Sequence, residues 1–420
     1  MSDIHIRKRG KKWYYSFEAA HISGKRKRIE RVGGATKKEA LEKGVQALSE
    51  YNNSGQHFEP VTISVSDFLD YYIENYSKLN DKYNTIQSYI CSINNHLKPA
   101  FGSYRLASLC TAAIQQFVNS KYLSGLSVAS IKTIIAPLSH AFEYAIDLNY
   151  VRYNPCTRIK YPPESTVKKK REVISLGEYN IIMQEMALHK PFDAAVMIGF
   201  YAGLRISETF ALTWNDIDFD NRTISVNKQV VNRKVGTDCC SQESLSERGW
   251  CFQSTKTRTS NRVVTVSADV INALKRLRKE QQENRLRYGK RYYELYLKDE
   301  YDEKRQPIQL IINAGRNELC VWPAADMVFR HKNGKYLSPH SFKYPARIIH
   351  GKLGIEKFTY HSLRHSHATM LIEAGVSPKA VQGRLGHTSI NTTFDKYVHN
   401  TYELEHQAVE AFDNIIKTAR

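Results

Sequence analysis

The stretch KYPPESTVKKKREV, residues 160–173, most narrows what this chain can fold into. Its paired prolines donate no backbone hydrogen bond and the basic run after them offers little apolar surface to bury. The segment therefore reads as a linker, semi-rigid at the prolines and flexible beyond them. The chain on either side must fold as separate units. Its 420 residues, 42% of them hydrophobic, suffice for two or three packed domains and lack the composition of a disordered chain. A nuclear-import reading of KKKR is the minor one, because basic runs are more often solvated or set against phosphates.

Before the linker two periodicities follow one another. In residues 1–58 the segments IHIRK, KWYYSFEAA and RKRIERV alternate and are rich in β-formers, with Ser23 and Gly24 as a turn between the second and third. Thr36 and Glu39 have the spacing of a capping box, and Ala40, Leu41, Val45 and Leu48 recur at helical intervals. A small three-stranded sheet and one helix are expected. Arg7, Lys8, Lys11, Lys12, Arg26, Lys27 and Arg28 can lay a basic face into a DNA groove, although the same residues suit a solvated charged sheet equally well. In residues 59–160 the pattern becomes that of a helical bundle. Ser64 is placed to cap a helix whose Val65, Phe68, Leu69, Tyr72, Ile73 and Tyr76 form one apolar stripe, and further helices are expected over 86–97, 111–119 and 128–148.

After the linker, residues 174–420 open on a second capping-box pattern, Ser175 with Glu178. Helical segments flank TISVNKQVV, CFQST and RVVTV, which suggest one small antiparallel sheet. Residues 233–250 and 281–320 are polar and irregular enough to be insertions or long loops. The expected fold class is multidomain α+β: a three-stranded sheet with one helix, a helical bundle, and a mainly helical domain with a small antiparallel sheet.

Charge and cysteine usage narrow the function. The chain carries 61 Lys and Arg against 42 Asp and Glu, a formal net charge of +19 and a pI near 9.4. Neutralising phosphates releases condensed counterions, so a polyanion is the first partner implied. Nucleic acid is favoured over a membrane surface, because no basic amphipathic helix stands free of a domain. No apolar run approaches the roughly 18 residues of a spanning helix. MSDIHIRKRGKKW has no apolar signal core either, so a cytoplasmic protein without membrane contact is expected. Seven cysteines with no CxxC pair fit a reducing compartment. Cys239, Cys240 and Cys251 match no zinc spacing, so no metal is expected.

The chemistry is concentrated in the third unit. YAGLRISETFALTW places Arg205 after a Gly-Leu turn, at the start of an apolar-periodic run. STKTRTSNRVV reads as a hairpin with Lys256 at the end of one strand. TYHSLRHSHATML, residues 359–371, crowds His361, Arg364, His365 and His367 onto one amphipathic helix, while LGH supplies His387 and NTTFDKYVH supplies Tyr397. Each alone is unremarkable. Together they can break a phosphodiester without a metal. Two guanidiniums hold non-bridging oxygens and the charge of a pentacoordinate transition state. Histidines and a lysine move protons near neutral pH, and a phenolic oxygen can attack as nucleophile. A metal-dependent nuclease would need clustered carboxylates, and Glu208, Asp216 and Asp218 make no such cluster in sequence.

In that order, AGLRISE, TKT, HSLRHSHAT, LGH and DKYVH resemble the catalytic set of tyrosine recombinases of the phage integrase family, especially integrases of temperate phages and conjugative transposons. The resemblance implies that Arg205 and Arg364 grip the scissile phosphate, and that Lys256 protonates the departing 5′ oxygen. His361 would assist proton transfer with the tyrosine, His387 would hydrogen-bond a phosphate oxygen, and Tyr397 would be the nucleophile, with Tyr402 its nearby competitor. Glu208 would support the site structurally, and Gly203 and Gly386 would be backbone-turn residues. His365 and His367 fall outside the matched positions and are left as packing or supporting groups. The implied reaction needs no cofactor. It passes through a 3′-phosphotyrosyl intermediate and a Holliday junction, integrating and excising a mobile element.

The same resemblance names the units. Residues 1–58 would be an arm-type DNA-binding domain, 59–160 a core-binding domain, 161–173 the linker, and 174–420 the catalytic domain with a C-terminal tail. Leu404, Ala408, Phe412, Ile415 and Ile416 give that tail an apolar stripe, suited to its own domain or to a neighbouring protomer. The implied partners are double-stranded DNA at core-type and arm-type sites, three further protomers in a homotetramer on DNA, and an excisionase or DNA-bending accessory protein. A bacterial, nucleoid-associated protein is expected. Two other functions share some of these features. A non-catalytic DNA-binding regulator explains the charge and the bundle but leaves six reactive positions without purpose. A type IB topoisomerase would use similar chemistry to reseal the same strand, and the arm unit argues against it.

Overall fold

The computed structural model describes residues 4–22, 25–54, 63–163, 173–234, 248–254, 261–301, 307–316, 318 and 320–386. Contacts divide the chain into two units, Met1–Val167 and Lys168–Arg420. The turn at Ser23 and Gly24 and most of the expected linker lie outside the described residues.

The first unit opens with β1 (His5–Arg9), β2 (Lys12–Ile22) and β3 (Lys25–Gly34), antiparallel in the order β1-β2-β3. A two-residue turn joins β1 to β2, with Gly10 at φ 60°. Helix α1 (Lys37–Ser54) starts at the expected capping box: Thr36 Oγ1 accepts from the Glu39 N–H at 3.3 Å, and the Glu39 carboxylate accepts from the Thr36 N–H at 3.3 Å. The helix meets the sheet through only part of the expected stripe, Ala40 and Leu48, joined by Ala47. Ala40 and Ala47 are buried, while Leu41 and Val45 are 47% and 54% exposed. The cause is the closeness of helix and sheet: a Cβ at Gly44 would lie 2.9 Å from Ile4 Cγ2. The closest part of the seam therefore carries Ala40, Gly44 and Ala47, spaced four and three residues apart, with Leu48 packed beside them.

The rest of the unit is helical: α2 (Val65–Tyr72), α3 (Lys78–Asn80), α4 (Tyr83–Ser92), α5 (Lys98–Phe101), α6 (Thr111–Leu123) and α7 (Val128–Asp147). Ser64 caps α2 by accepting from the Asp67 N–H at 3.0 Å. Val65, Phe68, Leu69, Tyr72 and Ile73 are buried as expected, but Tyr76 is 39% exposed and Ser77 takes its place inside. A π-helical turn over Ile73–Ser77 explains the exchange. The wider turn adds a residue and so moves the inward position from the fourth residue after Tyr72 to the fifth.

The second unit contains α8 (Leu176–Met186), α9 (Phe192–Tyr201), α10 (Ile206–Thr209), β4 (Ile217–Asp218), β5 (Thr223–Val226), β6 (Lys228–Lys234), β7 (Arg248–Ser254), β8 (Arg262–Thr265), α11 (Ala268–Tyr288), β9 (Tyr293–Tyr301), β10 (Pro307–Gly315), α12 (Lys343–Leu353), α13 (Tyr360–Glu373) and α14 (Pro378–Leu385). Ser175 and Glu178 form the expected capping box at α8. Helices surround a core in which Ile198, Phe210, Phe329, Phe358 and Leu363 are wholly buried.

The strands form two antiparallel sheets where one was expected, ordered β4-β5-β8 and β6-β7-β10-β9. TISV and RVVT pair in the first, whereas KQVVNRK and RGWCFQS pair in the second. The described ends of STKTRTSNRVV, Ser254 in β7 and Arg262–Val264 in β8, thus belong to different sheets and do not pair with each other, while 255–260 lie outside the described residues. The described residues of segment 281–320 are also structured. They complete α11 and then form the β9–β10 hairpin, whose Leu295 and Ile311 enter the core. Of 233–250, the ends belong to β6 and β7, and 235–247 lie outside the described residues.

Candidate active site

Arg205 is placed by a turn and a cap. The chain leaves α9 and reverses at Gly203, which has φ +64°. A side chain there would be strained in this left-handed backbone. It would also be crowded, since a Cβ would lie 2.8 Å from both His367 Cδ2 and Leu385 Cδ2. Two residues on, Arg205 is the extended N-cap of α10. Glu208 reaches back to it, its carboxylate accepting from the Arg205 backbone N–H at 2.9 Å and from Arg205 Nη1 at 2.6 Å. The Arg205 side chain remains 35% exposed, while Glu208 is 2% exposed.

A second arginine meets the same carboxylate. Arg262, at the start of β8, donates from Nη2 to Glu208 Oε2 at 2.9 Å and from Nη1 to Oε1 at 3.4 Å. Burial by itself would raise the Glu208 pKa. The hydrogen bonds and charge of Arg262, together with Arg205, outweigh burial and hold it below the usual carboxylate range. Glu208 thus stays an anion between two cations.

Helix α13 carries the next group. Its N-cap Thr359 accepts from the Ser362 N–H at 3.0 Å, and the Tyr360 hydroxyl donates to the Ala195 carbonyl at 3.0 Å, seating α13 on α9. A Cβ at Gly199 would meet Leu363 Cδ1 and Tyr360 Cζ at 3.0 Å, so the two helices pack closely. Arg364 is completely buried; its Nη1 donates to the Gly203 carbonyl at 2.6 Å and its Nη2 to the Leu385 carbonyl at 2.7 Å. His361, one turn earlier on the helix, is exposed. His365 is buried and His367 partly so. Arg384 Nε donates to His367 Nε2 at 3.0 Å. Burial first, and then the Arg384 cation, lower the His367 pKa to about 4, so this imidazole is neutral near pH 7 and serves as an acceptor.

These contacts converge on the end of α14. The last carbonyls of a helix have no partner within it and carry its negative pole. Here three in succession are taken by three arginines from different elements. Arg262 Nε donates to the Arg384 carbonyl at 2.8 Å, Arg364 to Leu385, and Arg205 Nη2 to Gly386 at 3.3 Å. Gly386 closes the helix in the left-handed conformation, at φ 66°. His387 follows it directly in the chain.

The structure therefore brings together Arg205, Glu208 and Arg364, with His361 on the Arg364 helix. Lys256, His387, Tyr397 and Tyr402 lie outside the described residues. Arg262 and Arg384 were not anticipated. A signal for the first was present: Arg262 shares the strand phase of Val264 and Val266, which are 1% and 5% exposed, whereas Val263 is 67% exposed. A cation in the inward phase of a strand calls for a buried anion.

In the first unit, Tyr15 and Phe17 fill the sheet face toward α1, and Ile6 pairs with Tyr15. Arg7 pairs with Tyr14 and Arg28 with Glu18, so both point to the open face, as does Lys12. Lys8 pairs with Trp13 on the other face, its Nζ 5.8 Å from that ring, and Lys11 is in the turn after Gly10. The side chains of Arg26 and Lys27 lie outside the described residues. Among the described residues no group of His, Cys, Asp and Glu could hold a metal ion, and no helix is long and apolar enough to cross a membrane. Cys251 is buried in β7, and Cys239 and Cys240 are outside the described residues.

Comparison with known proteins places these features in context. Residues 173–403 match the model of the phage integrase family, 64–122 that of a phage integrase N-terminal SAM-like domain, and 5–48 that of an arm DNA-binding domain. A XerC-like tyrosine recombinase of Caldanaerobacter subterraneus subsp. tengcongensis is 26% identical over 392 residues, covering 91% of this chain and 90% of that protein. The ICEBs1 integrase of Bacillus subtilis is 25% identical over 406 residues, covering 96% of each. Among solved structures, the Tn1549 transposon integrase in complex with a circular intermediate DNA shares the fold with a TM-score of 0.62 and 20% identity, over 83% of this chain and 99% of that one. A lambda integrase tetramer bound to a Holliday junction does so with a TM-score of 0.52 and 18% identity, over 93% of each.

Proposed function

The chain belongs to the phage integrase family, and from that premise we propose that it recombines DNA at specific sites, integrating and excising a mobile element by tyrosine-mediated strand exchange. The observation that carries this reading is the meeting of Arg205, Arg262 and Arg364 on the three carbonyls that precede His387.

The roles follow from the chemistry. Tyr397 attacks phosphorus; a phosphotyrosyl bond forms and the bond from phosphorus to the 5′ oxygen breaks. Lys256 delivers a proton to that oxygen, leaving a free 5′-hydroxyl, and His361 assists in removing the phenolic proton. Arg205 is the partly exposed guanidinium available to a phosphate oxygen. Arg364, completely buried and held on two carbonyls, presents a fixed charge beneath the same phosphate. His387 donates to a further oxygen. The new ester conserves the energy of the old one, so a 5′-hydroxyl from a second duplex can reverse the step without ATP.

On this reading residues 1–58 bind arm-type sites, with Arg7, Lys12 and Arg28 on the open sheet face toward the phosphates and Lys8, Lys11, Arg26 and Lys27 around them. Residues 59–160 grip the core site, 161–173 link, and 174–420 catalyse, with the tail packing against a neighbouring protomer. The relatives bound to DNA and the tetrameric lambda integrase support double-stranded DNA as the substrate and a homotetramer as the working form. An excisionase or DNA-bending protein sets direction, and the protein acts at the bacterial nucleoid.

A strand-exchange assay tests the reading. Two labelled duplexes of different length, each carrying a core site, yield recombinant lengths and Holliday junctions if the protein is a recombinase. Relaxation of a supercoiled plasmid without recombinants would indicate a topoisomerase, and binding with neither product a regulator.

A further inference from the structure

We infer that Arg262 is a positioning residue for strand cleavage, fixing Arg205 and the segment leading to His387 in one geometry without touching DNA itself. The inference rests on the recombinase reading, since it concerns how that site is held.

Four observations carry it. The Arg262 side chain is 6% exposed, so it is not placed to meet a phosphate. Its three nitrogens serve two elements at once: both Nη atoms reach the Glu208 carboxylate, and Nε donates to the Arg384 carbonyl at 2.8 Å. Glu208 in turn holds both the backbone and the guanidinium of Arg205. Arg384 is itself committed, donating to His367 Nε2 and to the Tyr201 and Thr265 carbonyls, each at 3.0 Å. One planar fork therefore connects α10, β8 and the end of α14.

The chemistry of the fork is specific. A guanidinium can face a carboxylate with two nitrogens while the third bonds elsewhere in the same plane. Lysine, with a single ammonium, keeps the charge beside Glu208 but cannot span both partners. Loss of the span frees Arg205 and the α14 terminus to shift, and a displacement of about 1 Å in a reacting group can slow chemistry on the order of a hundredfold. Arg262 also begins the strand that follows the segment containing Lys256, so its anchorage limits where that segment ends.

The test compares wild type with Arg262→Lys and Arg262→Gln on a nicked suicide substrate. It measures half-saturating DNA concentration, single-turnover rate of covalent adduct formation at saturating DNA, and thermal unfolding. Both variants are expected to bind DNA within about twofold of wild type, while the saturating rate falls on the order of a hundredfold. Glu208→Gln should not slow Arg262→Lys further, because both act on one linkage. A wild-type saturating rate in Arg262→Lys would overturn the inference, as would loss of binding and rate in proportion in both variants, which marks a purely structural residue. Failure of the recombinase reading looks different: wild type itself then forms no adduct on DNA that it binds, and the inference falls with it.

Discussion

A helix crowded with titratable groups is explained one side chain at a time. On α13, Arg364 is completely buried and ties the Gly203 turn to the end of α14, His361 faces outward, and His367 accepts a hydrogen bond from Arg384. The resemblance of HSLRHSHAT to the family's motif marked His361 and Arg364, but nothing local to His367 predicted its partner, which lies 17 residues further along the chain. That contact has a consequence for stability. Folding lowers the His367 pKa from 6.5 to about 4, so as the pH falls through that interval the unfolded chain binds a proton that the folded chain refuses. The stabilisation is complete above pH 6.5 and is lost toward pH 4, by on the order of 2–3 kcal/mol. Urea unfolding of wild type and His367→Gln should show the wild-type advantage shrinking across this window. A gap that stays constant would mean that His367 is not held neutral.

At the scale of elements, the end of α14 and the Gly203 turn form one device. Arginine donors from β8, α13 and the N-cap of α10 saturate the carbonyls at the negative pole of α14. Gly203→Ala would place a methyl 2.8 Å from His367 and Leu385 and force a left-handed backbone on alanine. A cost of about 1–3 kcal/mol is expected, visible as a lower melting temperature together with slower adduct formation. Wild-type melting would mean that the turn is not constrained. Helices and caps were legible because capping boxes at Thr36 and Ser175 and apolar stripes are local signals. Three features were not, each for a physical reason. The π turn at Ile73–Ser77 changes the helical period without altering composition, which put Tyr76 outside. The division of seven strands between two sheets depends on long-range pairing, such as Val226 with Arg262. The polar second half of α11 has little apolar stripe beyond Leu277, so it reads as a loop although it is helical to Tyr288.

At the scale of the whole molecule, the formal charge of +19 and the arrangement of an arm unit, a bundle and a catalytic unit describe a protein built to hold DNA by its backbone while a small set of residues cuts it. The order of the sequence boxes was enough to identify the family, because five motifs in series constrain one another far more than any single one does. Of the proposed catalytic residues, Arg205, His361 and Arg364 lie in the described structure together with Glu208, and the proposed reaction depends on Tyr397 joining them. The most direct test incubates wild type and Tyr397→Phe with a nicked suicide substrate carrying the element's end, in EDTA. Wild type should form a denaturation-resistant adduct between protein and DNA, and Tyr397→Phe should form none. An adduct persisting in Tyr397→Phe would assign the nucleophile to another tyrosine, with Tyr402 the first candidate, and would contradict the account at its centre.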